Sequence, residues 1–221
     1  MNTFLQLDSF LLSTQDAAEK LKQASKAKIL VISDSHGGRE ELFHVVSYFG
    51  KSVDCIAFCG DGISDLLTAD KTCFPPVIAF VGGNNDSRSY PVSDDYVKIP
   101  SSLIFEACGH KIFLAHGHHY GVYSGIDLLE KEASLTGADF VFFGHTHVPF
   151  EEKREAADRN VLFLNPGSLC LPRSSSPKSL ALVTVYSGKK SPETCFFKIT
   201  EIQGEKYYKP YIPELFSFWN W

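Results

Sequence analysis

The chain has 221 residues, which is one to two domains at roughly 150 residues each and enough to bury a core without disulfides or a structural metal. Apolar residues at 44% and charged residues at 21% exclude a disordered or collagen-like chain. The 21 Lys+Arg against 26 Asp+Glu leave a net charge of −5, with no basic excess to draw extended nucleic acid or an anionic membrane surface.

Met1–Leu12 is apolar but lacks a basic leading stretch and a small-residue cleavage site, so it does not read as a signal peptide. No apolar run nears the ~18 residues that span a bilayer. A cytoplasmic location without membrane partners is the expectation. Residues 13–27 predict a short helix capped by Ser13 with Asp16. Lys28–Ser33 is a continuous apolar strand, Arg39–Phe49 an amphipathic helix, and Val53–Cys59 and Val77–Val81 two further buried strands. Ser102–Ala107 and Lys111–Ala115 flank a Gly109-His110 turn, Ser124–Thr136 predicts a helix stopped by Gly137, and Asp139–Phe143 is another strand. Val161–Leu164, Leu180–Tyr186 and Thr194–Thr200 continue as strands. Strand and helix alternate in the first half and strand dominates the second, with no linker or repeat. The reading is one α/β domain over 28–203, preceded by an extension over 1–27. A tail over 204–221 completes the chain, rich in aromatics and broken by Pro210 and Pro213. So many aromatics favour packing on the body or on a partner subunit; a lip over an active site is the other reading.

The six cysteines form no Cys-x-x-Cys pair, so zinc ribbons and dithiol redox motifs are not supported. Cys55 and Cys59 read as small buried hydrophobes.

Chemistry enters where each apolar run stops. Six of the eight histidines cluster there: His36; His116, His118 and His119; and His145 with His147. The five runs lead into Asp34-Ser35-His36, Gly60-Asp61-Gly62, Gly82-Gly83-Asn84-Asn85-Asp86, His116-Gly117-His118-His119 and Gly144-His145-Thr146-His147. In parallel sheets the ligand site lies outside the carboxyl ends of the strands, so these loops are expected to converge. In extended chain, residues two apart point the same way. Asp34 with His36, and His145 with His147, are then expected to face one centre. Oxygen and imidazole donors without thiolate suit Mn, Fe, Zn, Ni or Co. Seven donors exceed one ion and suit two ions with a bridging carboxylate.

This ordered set, with Asn165-Pro166-Gly167-Ser168 as a further signature, resembles the calcineurin-like metallophosphoesterase superfamily. The similarity spans Lys28 to Thr200 and is closest to its small bacterial and archaeal phosphodiesterases of the YfcE type. The resemblance implies a four-layer α/β/β/α sandwich with two mixed β-sheets, and a dinuclear-metal phosphodiesterase acting on a small or nucleotide-like phosphodiester. It implies Asp34, His36 and His147 on one ion, Asn84, His116 and His145 on the other, and Asp61 bridging, with a bridging hydroxide as the attacking group. It also implies two divalent transition-metal ions, Mn foremost, and a homo-oligomer, dimer or tetramer. A His usually follows the metal-binding Asn in the wider superfamily. Asn85 stands there in this chain and cannot act as an acid. His118 is the candidate acid, with a hydrogen bond to Asp86 or a loop carbonyl as the alternative role. Asp86 is expected to orient a metal-ligating His, and Arg88 and Arg173 are candidate phosphate contacts. His44 and His110 are expected to be structural or solvated, and His119 has no assigned role. Other readings within the same fold are a partner-binding scaffold like the retromer subunit and a phosphomonoesterase.

Overall fold

The computed structural model describes residues 5–92, 95–156, 159–189 and 191–214. Two short strands, β1 (Leu5–Gln6) and β2 (Leu12–Ser13), precede helix α1 (Gln15–Gln23). Strand and helix then alternate through β3 (Lys26–Ile32), α2 (Arg39–Phe49), β4 (Cys55–Phe58), α3 (Ile63–Thr68) and β5 (Val77–Phe80). A hairpin of β6 (Ser89–Val92) and β7 (Asp95–Lys98) leads to β8 (Ser102–Ala107), β9 (His110–Ala115), α4 (Asp127–Thr136) and β10 (Phe140–Phe142). The remainder is strand: β11 (Pro149–Ala156), β12 (Arg159–Pro166), β13 (Ser179–Tyr186), β14 (Glu193–Ile202) and β15 (Glu205–Tyr211).

An eight-stranded sheet runs β1-β2-β5-β4-β3-β13-β14-β15, and a five-stranded sheet runs β11-β12-β10-β9-β8. Both are mixed: β3, β4 and β5 are mutually parallel, as are β9, β10 and β12, and the outer strands are antiparallel. β3 shows why its sequence is an unbroken apolar run. Ile29 and Val31 face the core between the sheets, while Leu30 and Ile32 face the core under α2 and α3, so both faces are dry. Phe105, Leu114, Phe142 and Leu164 meet β3 and β4 across the middle layer. Leu129 and Ala133 of α4 cover Phe113, Val141 and Phe163 on the far side. The result is a single α/β/β/α sandwich. Truncating a buried side chain such as Leu30 or Ile56 to Ala costs about 2–5 kcal/mol in such a core.

Several elements differ from the sequence reading. Helix α1 is capped by Thr14, whose hydroxyl accepts from the Ala17 amide at 3.2 Å. Ser13 instead lies in β2, donating to the Pro76 carbonyl at 2.9 Å. Helix α4 starts at Asp127, and Ser124 belongs to the preceding turn. The charged strand β11 carried no apolar signal. β15 pairs antiparallel with β14 as the outer strand of the large sheet, where Pro210 is tolerated. Tyr208 of this strand packs its ring 5.0 Å from Phe49. Phe216, Phe218, Trp219 and Trp221 of the aromatic tail lie outside the described residues. All six cysteines are free, with Cys55 and Cys59 fully buried. Among the described residues no helix is long and apolar enough to cross a membrane.

Candidate metal centre

The loops after β3, β4, β5, β9 and β10 meet at one end of the sandwich. Asp34, Asp61, His116 and His147 are buried there, with His36 and His145 partly exposed. Asp34 Oδ1 stands 3.1 Å from His147 Nε2, 3.6 Å from His36 Nε2 and 3.9 Å from His116 Nε2. Asp61 Oδ2 stands 3.5 Å from His36 Nε2 and 3.4 Å from His116 Nε2. Two donor groups result, Asp34/His36/His147 and Asp34/Asp61/His116, each with ligand atoms within 4.8 Å of one another. The His145 ring lies 5.0 Å from that of His116.

The convergence does not come from extended chain. Asp34, His36, Asp61, His145 and His147 all have left-handed backbone, with φ of 55°, 45°, 55°, 71° and 61°. Each such residue costs about 1 kcal/mol or more and persists only where surrounding structure enforces it. Here the His36 amide donates to the Asp61 carbonyl at 3.0 Å, and the His145 amide donates to Asp34 Oδ2 at 3.1 Å. Alternate left-handed residues, not a β pleat, turn both members of each pair inward. Close backbone approach completes the floor. A Cβ on Gly83 would sit 2.0 Å from Asp61 Oδ1, and one on Gly144 would sit 2.8 Å from Asp34 Oδ2.

A second tier orients the donors. His116 Nδ1 faces the Cys59 carbonyl at 2.8 Å and His147 Nδ1 faces the Leu171 carbonyl at 2.5 Å. With Nδ1 donating, each neutral ring presents the Nε2 lone pair to the carboxylates. Ser168 Oγ donates to the Asp34 carbonyl at 2.7 Å and accepts from the Leu171 amide at 2.8 Å. Asn165 Nδ2 donates to the Gly144 carbonyl at 2.8 Å and to Thr146 Oγ1 at 3.1 Å. The Asn-Pro-Gly-Ser signature therefore braces two ligand loops. Asp65 was not singled out in the sequence; it accepts from Ser35 Oγ at 2.6 Å and from the Gly37 amide at 2.9 Å.

The donors fit a divalent cation. Asp34 Oδ1 and His116 Nε2 are buried and have no hydrogen-bond partner among the described residues, an arrangement that is costly unless a cation lies between them. Burial alone raises both carboxyls. The imidazoles of His147 and His36 outweigh it at Asp34 and hold that group well below the usual carboxylate range. His116 does the same for Asp61, down to about 2. Asp34 raises His36, and although burial lowers His116, Asp61 and Asp34 raise it overall. His145 is lowered to about 4 by burial and by His116, so it offers an uncharged nitrogen at neutral pH.

The other expected site residues are placed unevenly. Asn84 is exposed at the tip of its turn, whereas Asn85 donates from Nδ2 to Asp61 Oδ2 at 2.7 Å and from its amide to Oδ1 at 2.8 Å. Among the described residues Asp86 bonds no histidine. Its carboxylate collects the amides of Asp61 at 2.7 Å, Gly62 at 3.1 Å, Ile63 at 2.9 Å and Gly83 at 2.9 Å, so it shapes the Asp61 loop instead. His118 lies 5.3 Å ring to ring from His116 with its Nδ1 buried and unpartnered among the described residues, so it bonds neither Asp86 nor a loop carbonyl. Burial, then His119 and His116, lower its pKa. The exposed His119 ring lies tilted by 41° against it, with 3.8 Å between centroids. Arg173 reaches the rim: its amide donates to the His147 carbonyl at 3.2 Å, and its guanidinium donates to the Tyr123 hydroxyl. Tyr123 in turn donates to the His145 carbonyl at 2.9 Å. Arg88 is exposed, and no hydrogen bond or ion pair among the described residues links it to the ligand group. His110 lies between Asp139 and the Tyr186 carbonyl, away from the site.

Fold and site together define a metal-binding α/β/β/α phosphoesterase architecture. Residues 27–188 match the model of the calcineurin-like phosphoesterase superfamily domain. The chain belongs to that superfamily. It is 34% identical over 157 residues to the probable metallophosphoesterase YsnB of Bacillus subtilis (strain 168), covering 71% of this chain and 83% of that one. Phosphodiesterase YfcE of Escherichia coli (strain K12) is 32% identical over 177 residues, covering 71% of this chain and 86% of YfcE. A crystal structure from Streptococcus pneumoniae TIGR4, described as a predicted phosphoesterase, superposes with a TM-score of 0.62 at 26% identity over 85% of this chain and 99% of that one.

Proposed function

We propose that the chain is a dinuclear-metal phosphodiesterase that hydrolyses a small or nucleotide-like phosphodiester. The observation that supports this reading is the placing of Asp61 Oδ2 between His36 Nε2 at 3.5 Å and His116 Nε2 at 3.4 Å, beside Asp34, with two buried ligand atoms left unpartnered. Asp34, His36 and His147 would hold one ion and Asn84, His116 and His145 the other, with Asp61 spanning both. Bound divalent ions would supply Lewis acidity to the phosphoryl oxygens and acidify water. The oxygen and nitrogen donors favour Mn, with Ni, Fe, Zn or Co as the other candidates.

The chain's own groups do the rest. Cys59 and Leu171 carbonyls fix the His116 and His147 tautomers, and Asn85 holds the Asp61 carboxylate in one rotamer. Arg173, fastened to Tyr123, offers its remaining N–H donors to a phosphate oxygen at the rim. His118 is the proton donor to the leaving group; it is neutral at neutral pH and acts through its minor protonated form. The ligand carboxylates make the metal-free site negative, and two bound dications invert that sign. An acidic chain is thus compatible with an anionic substrate.

Metal analysis and one substrate panel test the proposal. Unchelated protein should carry close to two ions per chain, and with Mn²⁺ or Ni²⁺ it should cleave bis-esters or cyclic nucleotides faster than mono-esters. Protein that takes up no divalent ion, or one that turns over mono-esters alone, overturns it.

A further inference from the structure

Arg173 is anchored twice, and both anchors lead to the Gly-His-Thr-His loop. Its amide donates to the His147 carbonyl at 3.2 Å. Its guanidinium donates through Nη1 to the Tyr123 hydroxyl, which donates onward to the His145 carbonyl at 2.9 Å. The guanidinium carbon stands 5.9 Å from the centre of the Tyr123 ring, and that ring lies 4.9 Å from the His145 ring. The guanidinium is thus held one side chain away from His145, tied to the backbone of the loop and not to its donor atoms.

What holds Arg173 leaves its charge unspent. Arg154, by contrast, is gripped by Asp127, Glu130 and Glu152 at 2.9, 3.1 and 2.6 Å. Among the described residues Arg173 has no ion pair, and a neutral phenol fixes its direction without neutralising it. The turn that follows points the same way. Ser174 and Ser175 are left-handed, with φ of 52° and 58°, and the Ser176 amide donates to the Arg173 carbonyl at 2.9 Å across them. Two left-handed central positions ordinarily take Gly, Asn or Asp. Serine there sets two exposed residues with hydroxyl donors beside Arg173. A full positive charge flanked by hydroxyls, in a chain of net charge −5, is the chemistry of a phosphate subsite.

We propose that this rim subsite takes a second phosphate, carried on an ester arm of the substrate, with Tyr123 as its positioning residue. The inference rests on the dinuclear phosphodiesterase reading. A diester has only two non-bridging oxygens, and in that reading the metal centre takes both. Arg173 is left for an anionic group outside the scissile one. The substrate class narrows to small phosphodiesters that bear a second phosphate. Because the Tyr123 hydroxyl orients the guanidinium in advance, less side-chain freedom is lost when that phosphate binds.

Two esters with one leaving group test this: the nitrophenyl ester of thymidine monophosphate, and the same ester with a second phosphate on the remaining sugar hydroxyl. Metal-loaded protein should favour the second by about 10- to 100-fold in kcat/KM, the range for charged hydrogen bonds. Calorimetry should find thymidine bisphosphate bound more tightly than the monophosphate by a similar factor. Arg173→Ala and Tyr123→Phe should each bring both ratios close to one, with the loss in KM of the doubly phosphorylated ester. Arg173→Lys, which keeps the charge, should retain part of the preference. A purely structural role for Tyr123 would slow both esters alike and overturn its assignment. Wild-type protein that shows neither preference overturns the subsite, as do Arg173→Ala and Tyr123→Phe variants that keep it. If neither ester is cleaved, yet the bisphosphate preference stands and both variants abolish it, the subsite holds and the phosphodiesterase reading falls.

Discussion

His116 Nε2 points at Asp61 Oδ2 from 3.4 Å, while the far nitrogen of the same ring is tied to the Cys59 carbonyl at 2.8 Å. In metal-free protein the two carboxylates raise this imidazole, and Asp34 raises His36 likewise. Protons thus compete for positions that a divalent ion must take. Metal uptake near neutral pH should therefore release protons, in line with the general coupling of ligation to deprotonation. Calorimetry in buffers of different ionisation heats measures the count directly. A heat of binding that is the same in every buffer would show that the rings are already neutral.

Asp61 touches both donor groups, so its loss should be felt by each. Asp61→Ala is expected to weaken metal retention by more than about 100-fold, beyond the 10–100-fold typical of residues that only support a ligand. Turnover should fall with it. Dialysed variant protein assayed for metal content and activity checks this; full activity with full metal content removes Asp61 from the site.

Ser168 joins the Asp34 loop to the Leu171 loop, and the latter supplies the carbonyl that holds His147. Ser168→Ala leaves the Asp34 carbonyl and two amides without this buried partner. The expected cost is about 1–3 kcal/mol of stability and about a 10–100-fold loss of metal affinity. Thermal melts and metal titration of the variant separate the two effects. Unchanged metal affinity would mean that the brace serves folding alone.

Much of this site was legible because buried parallel strands write themselves as unbroken apolar runs, and the first polar residues after each run are the ones that meet. The meeting of Asp34, His36, Asp61, His116, His145 and His147 at one end of the sandwich could be read in this way; that they hold metal remains the proposal. The backbone that aims them could not, since left-handed Asp and His leave no glycine as a signal. The role of Asp86 was misread for a related reason: its partners are backbone amides, which no residue type announces. Asp65 and Ser168 act on residues 30 and 134 positions away, which only the fold brings together. β11 and β15 lie at sheet edges, where one wet side admits the charges of Glu151–Glu155 and the Pro210 ring.

The raised histidines also set how stability depends on pH. His36 and His116 bind protons more tightly folded than unfolded. Their contribution is complete below the ordinary histidine value of about 6.5, and it is lost as pH rises through their folded values. Metal-free protein should therefore melt at lower temperature as pH rises from about 7.5 toward 9, above the range near the ordinary histidine value where the lowered His145 and His118 act in the opposite sense. Loaded protein, in which metal replaces those protons, should not show this loss. Parallel melting curves with and without chelator test it, and identical slopes would refute it.

His118 combines a buried, unpartnered Nδ1 with ring contacts to His116, His119 and His145. It has no structural bond to lose among the described residues, so His118→Ala should leave melting nearly unchanged. If the ring protonates the departing oxygen, the cost depends on the leaving group. Alkyl esters need that proton and should slow by about 100-fold or more, the usual range for general acid catalysis. Nitrophenyl esters leave as stable anions and should slow only slightly. Paired kcat/KM values for the two ester classes decide the matter. Equal losses on both would mean that the ring shapes the site without moving a proton, and the acid would then have to be sought in solvent.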